Sequence, residues 1–168
     1  MDNKLNSSSI SSSSGGSSSS RDELLRSTKE LCNVFKNHGS IEEIVSCFSN
    51  TNHQSADEIH LFEHGLPELA PFLGRSFYGI QGIKDYFTII ANTLEYENMS
   101  FCDYVVDTEA RVVSVRGKAK FIWKSTQKSW NEIFIYRIEL DNEGKILIYE
   151  VWADSGAAYL ASRIQTMR

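Results

Sequence analysis

The stretch Trp130-Asn131-Glu132-Ile133-Phe134-Ile135-Tyr136-Arg137-Ile138-Glu139-Leu140-Asp141-Asn142-Glu143-Gly144-Lys145-Ile146-Leu147-Ile148-Tyr149-Glu150-Val151-Trp152-Ala153-Asp154 decides the fold. Two runs rich in β-branched and aromatic residues flank a short group of turn formers, the pattern of an antiparallel hairpin. Asp141-Asn142-Glu143-Gly144-Lys145 reads as a type I turn closed by a Gly bulge, which pairs Asp141 with Lys145. Counting outward sets Ile138 opposite Ile148, Tyr136 opposite Glu150, Phe134 opposite Trp152, and Glu132 opposite Asp154. Side chains alternate along a strand, so these residues share one face. The other face carries Ile133, Ile135, Arg137 and Glu139 against Ala153, Val151, Tyr149 and Leu147. Both faces are substantially apolar, whereas a sheet with one solvated side shows one polar face. Something therefore covers each side: helices cover one, and a second copy of the chain fits the other.

Working outward, segments near 96–107 and 111–124 share the same composition and complete an antiparallel meander. Asp154-Ser155 then caps a last helix. The first half has helical spacing instead. Ser20-Arg21-Asp22-Glu23 reads as a capping box, followed by Leu24, Thr28, Leu31 and Phe35 on one face. His38-Gly39 closes this helix, with Gly39 expected in the left-handed position. A second capping box, Ser40-Ile41-Glu42-Glu43, opens a shorter helix. A short strand near 58–62 and a loop with Pro67 and Pro71 lead to a third helix over about 81–94. Helices first and strands after predict an α+β fold, a curved antiparallel sheet packed on N-terminal helices. Residues 1–19, dominated by Ser, Gly and Asn, predict a disordered tail, and residues 20–168 one domain.

The net charge of −5 and the lack of a basic stripe argue against a nucleic-acid partner. Arg116, Lys118 and Lys120 recur at period two, which places them on one solvated or subunit-contacting face of a strand. Cys32, Cys47 and Cys102 have no CxxC or CxxH spacing, so they read as reduced core thiols of a cytoplasmic protein with no metal site. No apolar run approaches the roughly 20 residues of a membrane span, and the start lacks a signal peptide's apolar core.

The chemistry-bearing face mixes Phe134, Tyr136 and Trp152 with Glu132, Glu150 and Asp154. If the strand over 111–124 pairs so that Trp123 lies near Trp130, the small residues Gly117 and Ala119 join that face and leave room. Directly opposed side chains lie about 5 Å apart at Cβ. Burial and like charge would then raise the pKa of Glu132 or Asp154. A protonated carboxyl beside an ionised one is an acid–base pair. Structural readings stand beside this one. Asp154 fits an N-cap, Glu132 a strand end reaching water, Glu150 a hydrogen bond to Tyr136, and Trp152 and Phe134 a core.

The element order carries Phe72-Leu73-Gly74-Arg75-Ser76-Phe77-Tyr78-Gly79-Ile80-Gln81-Gly82-Ile83 before the third helix, and Gly144-Lys145-Ile146 followed by Glu150-Val151-Trp152-Ala153-Asp154 before the last. In this it resembles the nuclear transport factor 2-like superfamily, in particular its SnoaL-like, polyketide cyclase-like branch. The resemblance implies a cone-shaped sheet around a cavity, dimers through the outer sheet face, and, in enzymatic members such as ketosteroid isomerase and scytalone dehydratase, acid–base residues without a cofactor. Other members only bind or dimerise. In the isomerases a catalytic acid follows the first short strand. The matching position in His60-Leu61-Phe62-Glu63-His64-Gly65 is Glu63 or His64. The expected protein is a cytoplasmic homodimer that binds a small hydrophobic ligand with no cofactor, no nucleic acid and no membrane. Glu63, His64, Glu132 and Asp154 are the expected acids and bases, with His60, Trp123, Phe134, Tyr136, Glu150 and Trp152 around the ligand. The reaction class is isomerisation, dehydration or cyclisation. The rival is a non-catalytic binding or dimerisation module whose aromatic residues fill the cone.

Overall fold

The computed structural model describes residues 16–50 and 59–164. The Ser-rich tail as far as residue 15, and the expected start of the first strand at Glu58, lie outside them. Helix α1 (Gly16–Lys36) buries a stripe of Leu24, Thr28, Leu31, Cys32 and Phe35 at the three-to-four spacing of one helix face. It begins upstream of the expected capping box, so Ser20 lies within the helix rather than at its cap. At its end the His38 N–H donates to the Phe35 carbonyl at 3.1 Å and the Gly39 N–H to the Val34 carbonyl at 2.8 Å. This is the paired closure of a Schellman motif, and it makes His38, with φ 52°, the left-handed residue in place of Gly39. The His38 ring stacks on Tyr96 at 4.6 Å, a contact that offsets the cost of a Cβ in that region.

Helix α2 (Ile41–Ser46) opens with the expected capping box. The Glu43 N–H donates to Ser40 Oγ at 3.2 Å, and the Ser40 N–H to Glu43 Oε2 at 2.7 Å. Strands β1 (His60–His64) and β2 (Ser76–Tyr78) precede helix α3 (Gly79–Thr93). Strands β3 (Leu94–Asp107), β4 (Val112–Trp123), β5 (Lys128–Leu140) and β6 (Ile146–Trp152) form the antiparallel meander, and α4 (Ser155–Ser162) ends the domain.

The sheet order is β2-β1-β6-β5-β4-β3. It is mixed rather than wholly antiparallel, because β1 runs parallel to β6 and the short β2, absent from the sequence reading, pairs with β1. No hairpin joins β1 to β6; β2, α3 and the first three strands of the meander lie between them in the chain, so that pairing escapes the antiparallel rule for short turns.

The turn at 141–145 forms as expected. The Asp141 N–H donates to the Lys145 carbonyl at 2.8 Å, the Gly144 N–H donates to the Asp141 carbonyl at 3.1 Å, and Gly144 takes φ 76°. One residue further, the register departs from the sequence reading. Leu140 faces Ile146, but Glu139 faces Ile148, so Leu147 is an extra residue on β6. Beyond this bulge every side chain of β6 changes face. Tyr149 and Val151 lie inside, opposite Ile138 and Tyr136, while Glu150 and Trp152 lie outside, opposite Arg137 and Ile135. The placement of Glu150 and Trp152 beside Tyr136 and Phe134 is thereby corrected. Two further register breaks in β3, at the left-handed residues Asn98 and Asp103, bend the opposite side of the sheet.

On β4 the pairing is Phe121 with Trp130, two residues from the expected Trp123 with Trp130. A shift of two keeps the face, so Gly117 and Ala119 do lie beside Phe134 and Glu132. Gly117 leaves no empty space. The Phe134 ring lies across it so closely that a Cβ there would sit 2.1 Å from Cε2. The three cysteines are free. Cys32 and Cys47 are buried, and burial pushes the Cys32 thiol up to about 12. Cys102 is exposed, which corrects its reading as a core thiol. Among the described residues no helix is long and apolar enough to cross a membrane.

Candidate functional site

The concave side of the sheet, with α3 and the start of α4, borders a partly open cavity of about 170 Å³. Strand alternation on β1 turns Leu61 and Glu63 inward and His60, Phe62 and His64 outward. On α3 the buried residues Tyr86 and Phe87 line the same cavity, and the Tyr86 hydroxyl reaches β1. It donates to Glu63 Oε2 at 2.5 Å. Among the described residues the other oxygen, Oε1, accepts no hydrogen bond. Glu63 is only 6% exposed. Burial pushes its carboxyl up to about 7, nearby Glu132 adds to the rise, and the Tyr86 hydrogen bond opposes it. Burial also raises Tyr86, which keeps the phenol protonated.

Glu132 lines another part of the cavity wall and is equally buried. Its Oε1 accepts the backbone N–H of Asp154, and its Oε2 accepts the Trp130 indole N–H at 2.5 Å. Burial raises its pKa, while these two donors and the neighbouring Asp154 charge pull in opposite directions. Asp154 accepts the Ala157 N–H at 2.9 Å and so serves as the N-cap of α4. The two carboxylates are therefore held apart in role. Glu132 has both oxygens engaged, whereas Glu63 keeps one for a visitor. Tyr136 and Tyr149 add two buried phenols to the lining, with ring centroids 4.9 Å apart.

Of the residues expected at the site, the cavity gathers Glu63, Glu132, Asp154, Phe134 and Tyr136. The others lie elsewhere. His64 is on the outer face, where Nε2 meets Glu150 Oε1 at 3.1 Å and the ring stacks on Trp152 at 4.0 Å. Glu150 also accepts from Arg137 Nη1 at 3.0 Å. His60 stacks on the exposed Tyr78 at 4.8 Å, away from the cavity. Trp123 is buried beside Phe72 and donates its indole N–H to Ser125 Oγ at 3.1 Å, outside the lining. Strand alternation removes His60 and His64, the bulge removes Glu150 and Trp152, and the β4 register removes Trp123. The sequence reading missed Tyr86, Trp130 and Tyr149. A hydroxyl on the buried stripe of α3 was the one available sign of Tyr86, since a phenol in a core needs a partner. Among the described residues no group of three or more His, Cys, Asp or Glu is placed to hold a metal ion.

A curved sheet with helices against one side is an architecture shared with many solved structures. A nuclear transport factor 2-like protein of unknown function from Burkholderia pseudomallei K96243 superposes with a TM-score of 0.70 at 9% identity, covering 84% of this chain and 98% of that one. A candidate isomerase from Bacillus subtilis gives 0.68 at 12% identity, over 87% and 99%. A candidate SnoaL-like polyketide cyclase from Mesorhizobium loti gives 0.58 at 14%, over 76% and 97%. No family model and no curated protein sequence matches the chain. At such identities the likeness is one of fold. The chain has the nuclear transport factor 2-like fold, the fold that the resemblance in its sequence implied.

Proposed function

We propose that the protein binds a ring-sized, largely apolar molecule in this cavity and moves a proton on it, as a cofactor-independent acid–base enzyme. The observation that carries the reading is Glu63: a buried carboxyl whose Oε1 accepts no hydrogen bond among the described residues, poised near neutrality, in the same cavity as Glu132. A group that is partly protonated at working pH serves as either acid or base. Tyr86 stabilises the ionised form of Glu63 through its hydroxyl. The Tyr149 hydroxyl donates to that of Tyr136, and the Tyr136 hydroxyl offers a donor to charge that develops on the ligand. Glu132 fixes the Trp130 wall and the start of α4. Isomerisation, dehydration and cyclisation all fit such a set. The setting we propose is a cytoplasmic homodimer joined by its outer sheet face.

Native mass spectrometry of the protein as purified is the direct test, followed by deuterium wash-in from D₂O on the small molecule released. We expect one small co-purifying mass and wash-in at one carbon, slowed about 10²–10⁴-fold by Glu63→Gln. An empty cavity, or wash-in indifferent to Glu63→Gln, sinks the enzymatic reading.

One observation favours a non-catalytic module instead. The rings of Phe35, Phe87, Phe134, Tyr136 and Tyr149 occupy much of the cone, and the remaining 170 Å³ is below the roughly 300 Å³ where drug-sized ligand sites begin. In that reading the domain's purpose is assembly through its outer face.

A further inference from the structure

We infer that the polar end of the ligand is a basic nitrogen: the cavity is built for a small amine, about one ring in size, whose ammonium pairs with the free oxygen of Glu63. This rests on the reading of the cavity as a ligand site and narrows its occupant by charge.

The charged residues lining the cavity are Glu63, Glu132 and Asp154, and no Lys, Arg or His joins them among the described residues. The chain has 17 Lys and Arg and 4 His, so the absence is one of placement. His64 and Arg137 sit on the outer face and are engaged with Glu150, and His38 stacks on the back of the lining residue Tyr96 without joining the lining. Glu132 has both oxygens occupied, and Asp154 spends Oδ1 on its cap and is exposed to solvent, which leaves Glu63 Oε1 as the buried carboxylate oxygen to meet a ligand.

A carboxylate or phosphate entering here would bring a negative charge beside Glu63 and Glu132 with no lining cation among the described residues to offset it, and an unpaired buried charge is strongly disfavoured. A neutral hydroxyl would satisfy Oε1 by a hydrogen bond alone. An ammonium would satisfy it by a charge-assisted bond and gain the attraction of the surrounding ring faces. Tyr86 and Phe87 meet edge to face at 5.0 Å, and Phe35 and Tyr136 at 5.9 Å, so ring faces and edges both border the space. The volume of about 170 Å³ is close to the roughly 150 Å³ that accepts a benzene ring.

The groups facing Glu63 are Tyr86 on α3, Glu132 and Tyr136 on β5, and Tyr149 on β6. The phenols stay neutral, because burial raises all three. Binding of an ammonium therefore draws its counter-ion from Glu63, and a protonated Glu63 must release its proton to solvent. The proton released per site therefore grows as pH falls through about 7.

Isothermal titration of the full chain with benzylamine, benzyl alcohol and benzoate, in two buffers of different ionisation enthalpy, tests the inference. We expect benzylamine to bind at least ten-fold more tightly than benzyl alcohol, benzoate to give no binding, and benzylamine alone to release a proton. Glu63→Gln should lower benzylamine to the level of benzyl alcohol. If that variant does not fold, the buffer-dependent proton release of the wild type decides. Benzoate binding as tightly as benzylamine, or benzyl alcohol matching it, overturns the amine while leaving the cavity a ligand site. Failure of all three to bind overturns both.

Discussion

A glutamate in an unfolded chain gives up its proton near 4.5, whereas burial holds that of Glu63 to about 7. Between those values the folded protein keeps a proton that the unfolded chain has released. Stability from this group is therefore present in full below about 4.5, falls as pH rises through 7, and is constant above. Over the window the loss is on the order of 3 kcal/mol. Burial of Glu132 works in the same direction. Melting curves should show the wild type losing stability from pH 5 to pH 7.5, with a markedly shallower slope in Glu63→Gln. A wild-type melting temperature that climbs across that interval would contradict a buried proton at Glu63. Asp154 belongs to the same scale. Its side chain is spent on the Ala157 N–H, and the sequence had already offered the cap as an alternative to chemistry.

At the scale of elements, the contact of Gly117 with Phe134 joins β4 to β5 under the cavity floor. A Cβ at 2.1 Å from the ring forces Phe134 out of place. Gly117→Ala should therefore cost about 1–3 kcal/mol of stability, read as a lower urea midpoint at an unchanged slope. Phe134→Leu in the same chain should restore part of it, and an additive double variant would place the clash elsewhere. This pair was legible in the sequence because a period of two survives a register error of two. The faces of β6 were not legible. Asp141 and Gly144 specify the turn by their own chemistry, but Leu147 is an ordinary apolar residue in an apolar strand. Whether it bulges depends on the packing of Tyr149 and Val151 inside against Glu150 and Trp152 outside. The helices were read more faithfully, and their errors fall at the ends. Residues outside the capping pattern extended α1 to Gly16, and the His38–Tyr96 stack allowed a histidine to take the expected glycine conformation.

For the whole molecule, the outer sheet face is the large unexplained surface. Ile133 is 67% exposed, Trp152 40% and Ile135 39%, and beside them lies the His64–Glu150–Arg137 group. Apolar side chains ringed by ion pairs suit association. If two copies meet there, Ile133→Glu should convert the dimer to monomer in light scattering while the melting temperature of the isolated domain changes little. A wild type that is already monomeric at tens of micromolar would end the dimer proposal. The parallel join of β1 to β6, which brings Glu63 into the cavity, was beyond the sequence because strands so far apart in the chain share no turn to fix their order. The position of Glu63 itself was legible as one of two neighbours, and alternation on β1 chose between them.

The bulge at Leu147 has a consequence for comparing distant proteins of this fold. It acts as a parity bit: before it, even-numbered positions of β6 look inward, and after it odd ones do. An alignment that slides its gap by a single position across the bulge will match Tyr149 with a partner's outward residue and Trp152 with an inward one. Two such proteins would then seem to differ in every cavity position of this strand while sharing them all. Superposing backbones before pairing residues removes the artefact, and only then do the inward residues of β6 become comparable from one chain to another.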